Sequence, residues 1–283
     1  MTIDVNWLGP KFSNLSGLQV LSSGGQKWVF SANDHTHGEI VLKLIKPSSG
    51  DVEHTEREIL AVQTINSKRV PRVLEHGVLD TQLGNCLWIL EPLVNGPTVQ
   101  QMITFGPLRK EQYLKLGLQM LEALKEAEDV AIVHRDVKPG NIMCDQAGDF
   151  WLLDFGLARH QELSSLTPTA SPYGKFTPGY APPEQFKNHK REIDARADLF
   201  GLGVTLYECV TGNNPYWLNA RDAMDVLHRV ETMTLPPLSL SFRAGNSFRD
   251  LVAAMTQRRR EHRPSSIADA LDWMSDICFE ESV

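Results

Sequence analysis

The chain has 283 residues, 42% of them hydrophobic and 22% charged, with a formal net charge of −7. A chain of that length buries about three quarters of the surface its unfolded form exposes, so a core needs no disulfide or structural metal. The hydrophobic share excludes disorder throughout, and the acidic balance argues against a protein whose main business is neutralising nucleic-acid phosphates.

The opening residues, MTIDVNWLGP, lack the basic-then-apolar order of a secretory leader. No stretch approaches 18 uninterrupted apolar residues, so no membrane contact and a cytoplasmic location are expected. The four cysteines, Cys86, Cys144, Cys209 and Cys278, form no CxxC pair and read as free thiols.

From 18 to 90, short apolar alternations at 18–21, 27–32, 40–45, 73–79 and 86–90 are separated by turn-rich stretches. They predict an antiparallel sheet of about five strands. His35 and His37 fall in one of these stretches and read as part of a polar turn. A helix over 52–65 interrupts the sheet, because Ile59, Leu60, Val62 and Ile65 fall near helical spacing. Residues 91–97, EPLVNGP, have the composition of a linker. Beyond it, Leu114, Leu118, Leu121 and Leu124 line one face of a helix over 110–126. Further helices are expected at 198–211, 221–230, 248–255 and 265–276. The chain divides into a small sheet-rich part and a larger helical part. The basic cluster Arg258, Arg259, Arg260 and Arg263 has no interleaved aromatics and reads as a solvated loop plus one structural arginine.

Three clusters carry chemistry: VHRDVKPGN at 133–141, LLDFG at 152–156 and TPGYAPPE at 177–184. The three stretches resemble the catalytic loop, metal-binding loop and activation-segment end of the eukaryotic-type protein kinases. TPGYAPPEQ is most similar to the bacterial Ser/Thr members. The resemblance spans about 18–276.

The resemblance implies an α+β, bilobal protein kinase fold, with an antiparallel sheet plus one helix in the N-lobe and a mainly helical C-lobe. A single domain over 1–283 would comprise an N-lobe at 18–90, a hinge at 91–97 and a C-lobe at 98–276. Asp136 would orient the hydroxyl and accept its proton, and Lys138 would reach the transferring phosphate, a lysine there favouring serine or threonine substrates. Asn141 and Asp154 would hold Mg²⁺. Lys43, in the VLK stretch, would form an ion pair with Glu58 and meet the nucleotide phosphates, with Lys46 competing for its role and Glu53 and Glu56 for that of Glu58.

The glycine-rich loop departs from the family pattern: Leu21, Ser22, Gly24, Gly25, Lys27 and Val29 would cover the nucleotide, with Ser22 and Lys27 standing where glycines are usual. Leu90 would stand beside the adenine, bound by the backbone of Glu91 and Leu93. Glu184 would pair with Arg263, Asp198 would hydrogen-bond the catalytic loop, and Thr177 would bond Asp136 and Lys138. Arg135 would receive a phosphate on the activation segment, with Thr169 and Ser171 the expected phosphosites.

The function implied is an ATP- and Mg²⁺-dependent Ser/Thr protein kinase that autophosphorylates its activation loop. It would act on protein substrates without binding nucleic acid, and a homodimer through the kinase domain is a further expectation. The altered loop keeps open a pseudokinase, a nucleotide-binding interaction module. A small-molecule phosphotransferase is the third reading, against which the APPE segment and Lys138-Pro139 argue.

Overall fold

Trp28, Phe30 and Ala32, then Ile40, Leu42 and Leu44, put apolar side chains at every second position, the period of a strand with one buried face. The computed structural model describes residues 3–24, 27–46, 60–82, 84–155, 176–187, 189 and 192–282. It resolves into two compact units, Met1–Asn66 with Pro71–Val94, and Ser67–Val70 with Asn95–Val283.

The first unit holds β1 (Leu15–Gly24), β2 (Lys27–Asp34), β3 (Gly38–Ile45), β4 (Glu75–Thr81) and β5 (Gly84–Pro92). They form one antiparallel sheet in the order β1-β2-β3-β5-β4. The β2–β3 turn is fixed by Asp34, whose Oδ1 accepts the amide hydrogens of Thr36 and His37 at 2.8 and 2.7 Å. One face of the sheet buries Trp28, Phe30, Ile40, Leu42, Leu44, Cys86 and Leu90 against Leu8 and Phe12 of the N-terminal segment. That segment includes a short helix, α1 (Val5–Leu8). Each such large side chain contributes about 1.5–3 kcal/mol on burial. Of the helix expected over 52–65, only 60–65 are described, and residues 60–62 are helical.

The second unit is mainly helical. Its elements are α2 (Val99–Ile103), α3 (Lys110–Asp129), β6 (Ile142–Cys144), β7 (Phe150–Leu152), α4 (Pro183–Phe186), α5 (Arg196–Thr211), α6 (Ala223–Thr232), α7 (Gly245–Met255) and α8 (Ile267–Ser282). α5 is buried at every residue from Ala197 to Cys209 and runs through the unit between α3 and α7. A helix that is apolar all round belongs inside. It stops at Gly212, whose φ of 78° gives the left-handed cap that glycine takes without strain. A Cβ on Gly201 would lie 2.7 Å from the Val137 carbonyl oxygen. The bare glycine therefore lets α5 touch the backbone of the 133–141 loop. Among the described residues, no helix is long and apolar enough to cross a membrane.

Candidate active site

The loop between α3 and β6 has little regular structure, so side chains must satisfy its backbone. Asp198, in the first turn of α5, accepts the amide hydrogens of His134 at 2.7 Å and Arg135 at 2.6 Å. Burial pushes the Asp198 carboxyl above its usual range, and those two amides pull against it. His134 is fully buried; its Nε2 donates to the Leu153 carbonyl at 2.8 Å and its Nδ1 accepts from the Asp136 amide at 3.2 Å. Those partners fix the neutral tautomer. The His134 ring meets Phe155 edge-on at 4.6 Å. Arg135 has a φ of 67°, a left-handed geometry that costs a non-glycine residue about 1–2 kcal/mol. The clamp from Asp198 holds it there.

Around Asp136 the polar groups close into a ring. Lys138 Nζ donates to Asp136 Oδ2 at 2.6 Å and to Thr177 Oγ1 at 2.7 Å. Thr177 in turn donates to Asp136 Oδ1 at 2.6 Å. Asn141 Nδ2 donates to the Asp136 carbonyl at 2.8 Å and to Oδ2 at 2.9 Å. Asn141 thus meets Asp136 through its amide nitrogen and not through its Oδ1.

The thirteen-residue spacing of Asn141 and Asp154 is a hairpin. β6 and β7 pair antiparallel with Ile142 opposite Leu152, and the Leu153 amide donates to the Asn141 carbonyl at 2.8 Å. Residues 141 and 154 therefore emerge at the same end of the ribbon. Asp154 also has a left-handed φ of 67°. The turn between β6 and β7 is built by Asp145, whose Oδ1 accepts the amides of Ala147 and Asp149 at 2.9 Å each. Asp149 binds Arg69 at 2.9 Å, Lys115 at 2.8 Å and Gln119 at 2.9 Å, and these donors hold its carboxyl well below the usual range.

The 177–186 segment is fastened at several points. Arg263 makes a two-pronged pair with Glu184 at 2.6 and 3.1 Å. Its remaining donors go to the carbonyls of Gln257, Arg196 and Arg258 at 2.8–3.1 Å, so all five are used. Phe200 stacks on the guanidinium at 5.2 Å. Gln185 Nε2 donates to the Arg135 carbonyl at 2.7 Å, joining this segment to the loop. Tyr180 donates to Glu208 at 2.5 Å; burial and the Glu208 charge push its phenol far up. Of the basic cluster, Arg258 donates to the Glu231 carbonyl at 2.7 Å and Arg260 to the Glu192 carbonyl. Arg258 is exposed and Arg260 half-buried, while Arg263 is the buried arginine of the cluster.

The first unit carries a separate set. Register places Val29 opposite Lys43, Lys43 opposite Ile89, and Val41 opposite Glu91. Lys43, only 5% exposed, forms an ion pair with Glu91 across β3 and β5. Leu90 points to the other side of the sheet, into the Phe30–Leu42 core. The expectation that Leu90 stands on the nucleotide side is corrected: side chains alternate along β5, and the residue beside Lys43 is Glu91. The Leu93 amide donates to the Glu39 carbonyl at 3.0 Å. Ser22 pairs with Val29 and Gly24 with Lys27 in the β1–β2 register, and Leu21 is exposed. Gly25, Glu58, Thr169 and Ser171 lie outside the described residues.

Sequence reasoning missed Gln185, Gly201, Asp149 and the side chain of Glu91. Only Gly201 left a signal, as a glycine inside a helical apolar run.

The sequence pattern of the protein kinase domain matches residues 16–274. A probable serine/threonine-protein kinase of Clostridium perfringens is 30% identical over 272 residues, covering 94% of this chain and 38% of that protein. A probable serine/threonine-protein kinase, PknB, of Corynebacterium glutamicum is 30% identical over 228 residues, 77% of this chain and 34% of the relative. Serine/threonine-protein kinase PknA of Mycobacterium tuberculosis is 29% identical over 274 residues, 87% of this chain and 62% of the relative. The chain thus spans 34–62% of the length of these relatives.

Proposed function

The chain belongs to the protein kinase family, and on that premise we propose that it transfers the γ-phosphate of ATP to serine or threonine hydroxyls of proteins. One observation carries the reading: the carboxylate of Asp136 is held by Lys138, Thr177 and Asn141 in a closed ring. A general base must be oriented before its pKa matters, and this ring orients it. Asp136 takes the proton of the attacking hydroxyl. Lys138 places a positive charge beside the same carboxylate, where charge on the transferred group is stabilised.

Asn141 Oδ1 and the Asp154 carboxylate are hard oxygen donors of the kind Mg²⁺ takes, a small protein share completed by phosphates and water. Bound Mg²⁺ would supply charge neutralisation on the phosphate oxygens. Lys43 would meet the phosphates from β3. Leu93 offers the nucleotide base its carbonyl, since its amide is engaged by Glu39. Arg135 is the group with which a phosphate on Thr169 or Ser171 would pair.

The test is incubation of the chain with labelled ATP, Mg²⁺ and a mixed protein substrate, followed by identification of the labelled product. Phosphoserine or phosphothreonine is expected. Label only on a small molecule, or bound ATP with no transfer, would sink the reading.

A further inference from the structure

Lys43 sits in the middle of β3, where its neighbours Leu42 and Leu44 are wholly buried in the core of the sheet. Its own side chain lies on the opposite face, buried, with the Glu91 carboxylate on its ammonium. Glu91 is itself nearly enclosed, its side chain 14% exposed. Its backbone belongs to β5, hydrogen-bonded between β3 and β4 in the sheet. The carboxylate is therefore fixed to rigid structure. An exposed glutamate on a mobile loop would be screened by water and contribute little. A nearly enclosed one is screened much less.

Two consequences follow. An ammonium has three donors at tetrahedral angles. With bonds of about 2.8 Å, two acceptors on one ammonium stand only about 4.5 Å apart. Glu91 holds Lys43 Nζ where strand geometry dictates, and any phosphate reaching that Nζ meets the Glu91 charge at close range. The first effect positions the lysine; the second opposes the phosphate.

We propose that Glu91 is a positioning residue for Lys43 and sets the affinity of the site for phosphorylated nucleotides, holding the ammonium in place while repelling the phosphates it receives. This rests on the kinase reading, in which Lys43 meets the nucleotide. The role belongs to the charge of Glu91 and not to its bulk. Glu91→Gln keeps the shape and an acceptor oxygen for Lys43 and removes the negative charge. Glu91→Leu removes charge and acceptor together.

The experiment measures binding of ATP, ADP and adenosine to the purified chain, with kcat and KM for Mg-ATP, in the wild type and both variants. Glu91→Gln is expected to bind ATP and ADP about tenfold tighter. Its KM should fall by a similar factor. Adenosine, which carries no phosphate, should bind as before. Glu91→Leu is expected to lose about tenfold or more in kcat, because Lys43 has lost that acceptor. Unchanged or weaker ATP binding by Glu91→Gln would overturn the proposal. So would an equal gain for adenosine, which would place the effect on the base. Full kcat in Glu91→Leu would remove the positioning role. Should Glu91→Leu fail to fold, the near-isosteric Glu91→Gln decides alone. A wild type that binds none of the three ligands would overturn the kinase reading and this inference with it. A wild type that binds and transfers, beside an unaltered Glu91→Gln, would defeat this inference only.

Discussion

Each unit contains a buried ion pair, and the two hold their cations differently. In the helical unit, Arg263 spends all five donors on Glu184 and three carbonyls, under the face of Phe200. In the sheet unit, Lys43 meets Glu91 through a single flexible ammonium. A guanidinium locked into a fork cannot let go of its partners without leaving several carbonyls unsatisfied. An ammonium can add or exchange an acceptor by rotating. The first arrangement suits an anchor and the second suits a residue that must receive a ligand. Burial of an ion pair alone does not distinguish the two; the shape of the cation's head does.

The contrast can be broken most severely at Arg263. Arg263→Ala leaves Glu184 buried and unpaired, and should cost about 3–5 kcal/mol of stability in urea unfolding. Arg263→Lys should recover little of it, because one ammonium cannot serve five positions. A loss below about 1 kcal/mol for Arg263→Ala would mean the pair is not an anchor. Lys43→Met should behave the opposite way. Turnover should drop about 10²-fold or more, while the stability lost should stay below that of Arg263→Ala, because Glu91 is more exposed than Glu184 and no carbonyls are stranded. Equal damage to stability at both lysine and arginine would erase the distinction.

Gly201→Ala sharpens the comparison at the seam between α5 and the catalytic loop. Its new Cβ would stand 2.7 Å from the Val137 carbonyl, backbone that cannot swing aside. About 1–3 kcal/mol of stability should be lost, with a fall in kcat larger than any change in KM. A variant with wild-type stability and kcat would show that the loop relaxes freely.

The smallest effect is expected at the partly exposed network of Asp149. Arg69, Lys115 and Gln119 hold its folded pKa down. Its contribution is therefore fully present above the unfolded carboxylate value of about 3.9, and is lost as pH falls through the lower folded value. Asp149→Asn should cost about 1 kcal/mol near neutrality. The gap to wild type should begin to narrow below about pH 4 and keep narrowing toward the lower folded value, as followed by thermal unfolding from pH 7 to about pH 2. A gap that widens on acidification would reverse the sign of the argument.

The sheet was legible because its apolar residues alternate, and the five expected strands lie inside the five observed ones apart from the first residues of the fourth, where 73–74 precede Glu75. The three motif stretches stood out through their resemblance to the family pattern, which matches residues 16–274. Thr177, Glu184 and Asp198 hydrogen-bond the partners that the motifs named for them. Leu90 and Glu91 were misjudged for a different reason. A strand turns adjacent side chains to opposite faces, so an error of one residue exchanges core for site. Nothing in LEP of the 86–92 stretch fixes that register without the β3 partner. β6 and β7, three residues each, are too short for periodicity to appear. Gln185 and Asp149 act through partners distant in sequence, Arg135 at 50 residues and Gln119 at 30, and a single sequence gives no sign of such pairs.

The most direct test of the account is the rate of labelled γ-phosphate transfer by the purified chain with Mg²⁺, measured beside Asp136→Asn. The variant keeps the size of the side chain and loses the carboxylate that the ring around it orients. Transfer to serine or threonine by the wild type, with turnover about 10²–10⁴-fold lower in the variant and ATP binding retained, is the result expected. A variant that transfers phosphate at the wild-type rate would contradict the assignment of Asp136 and the chemistry built on it.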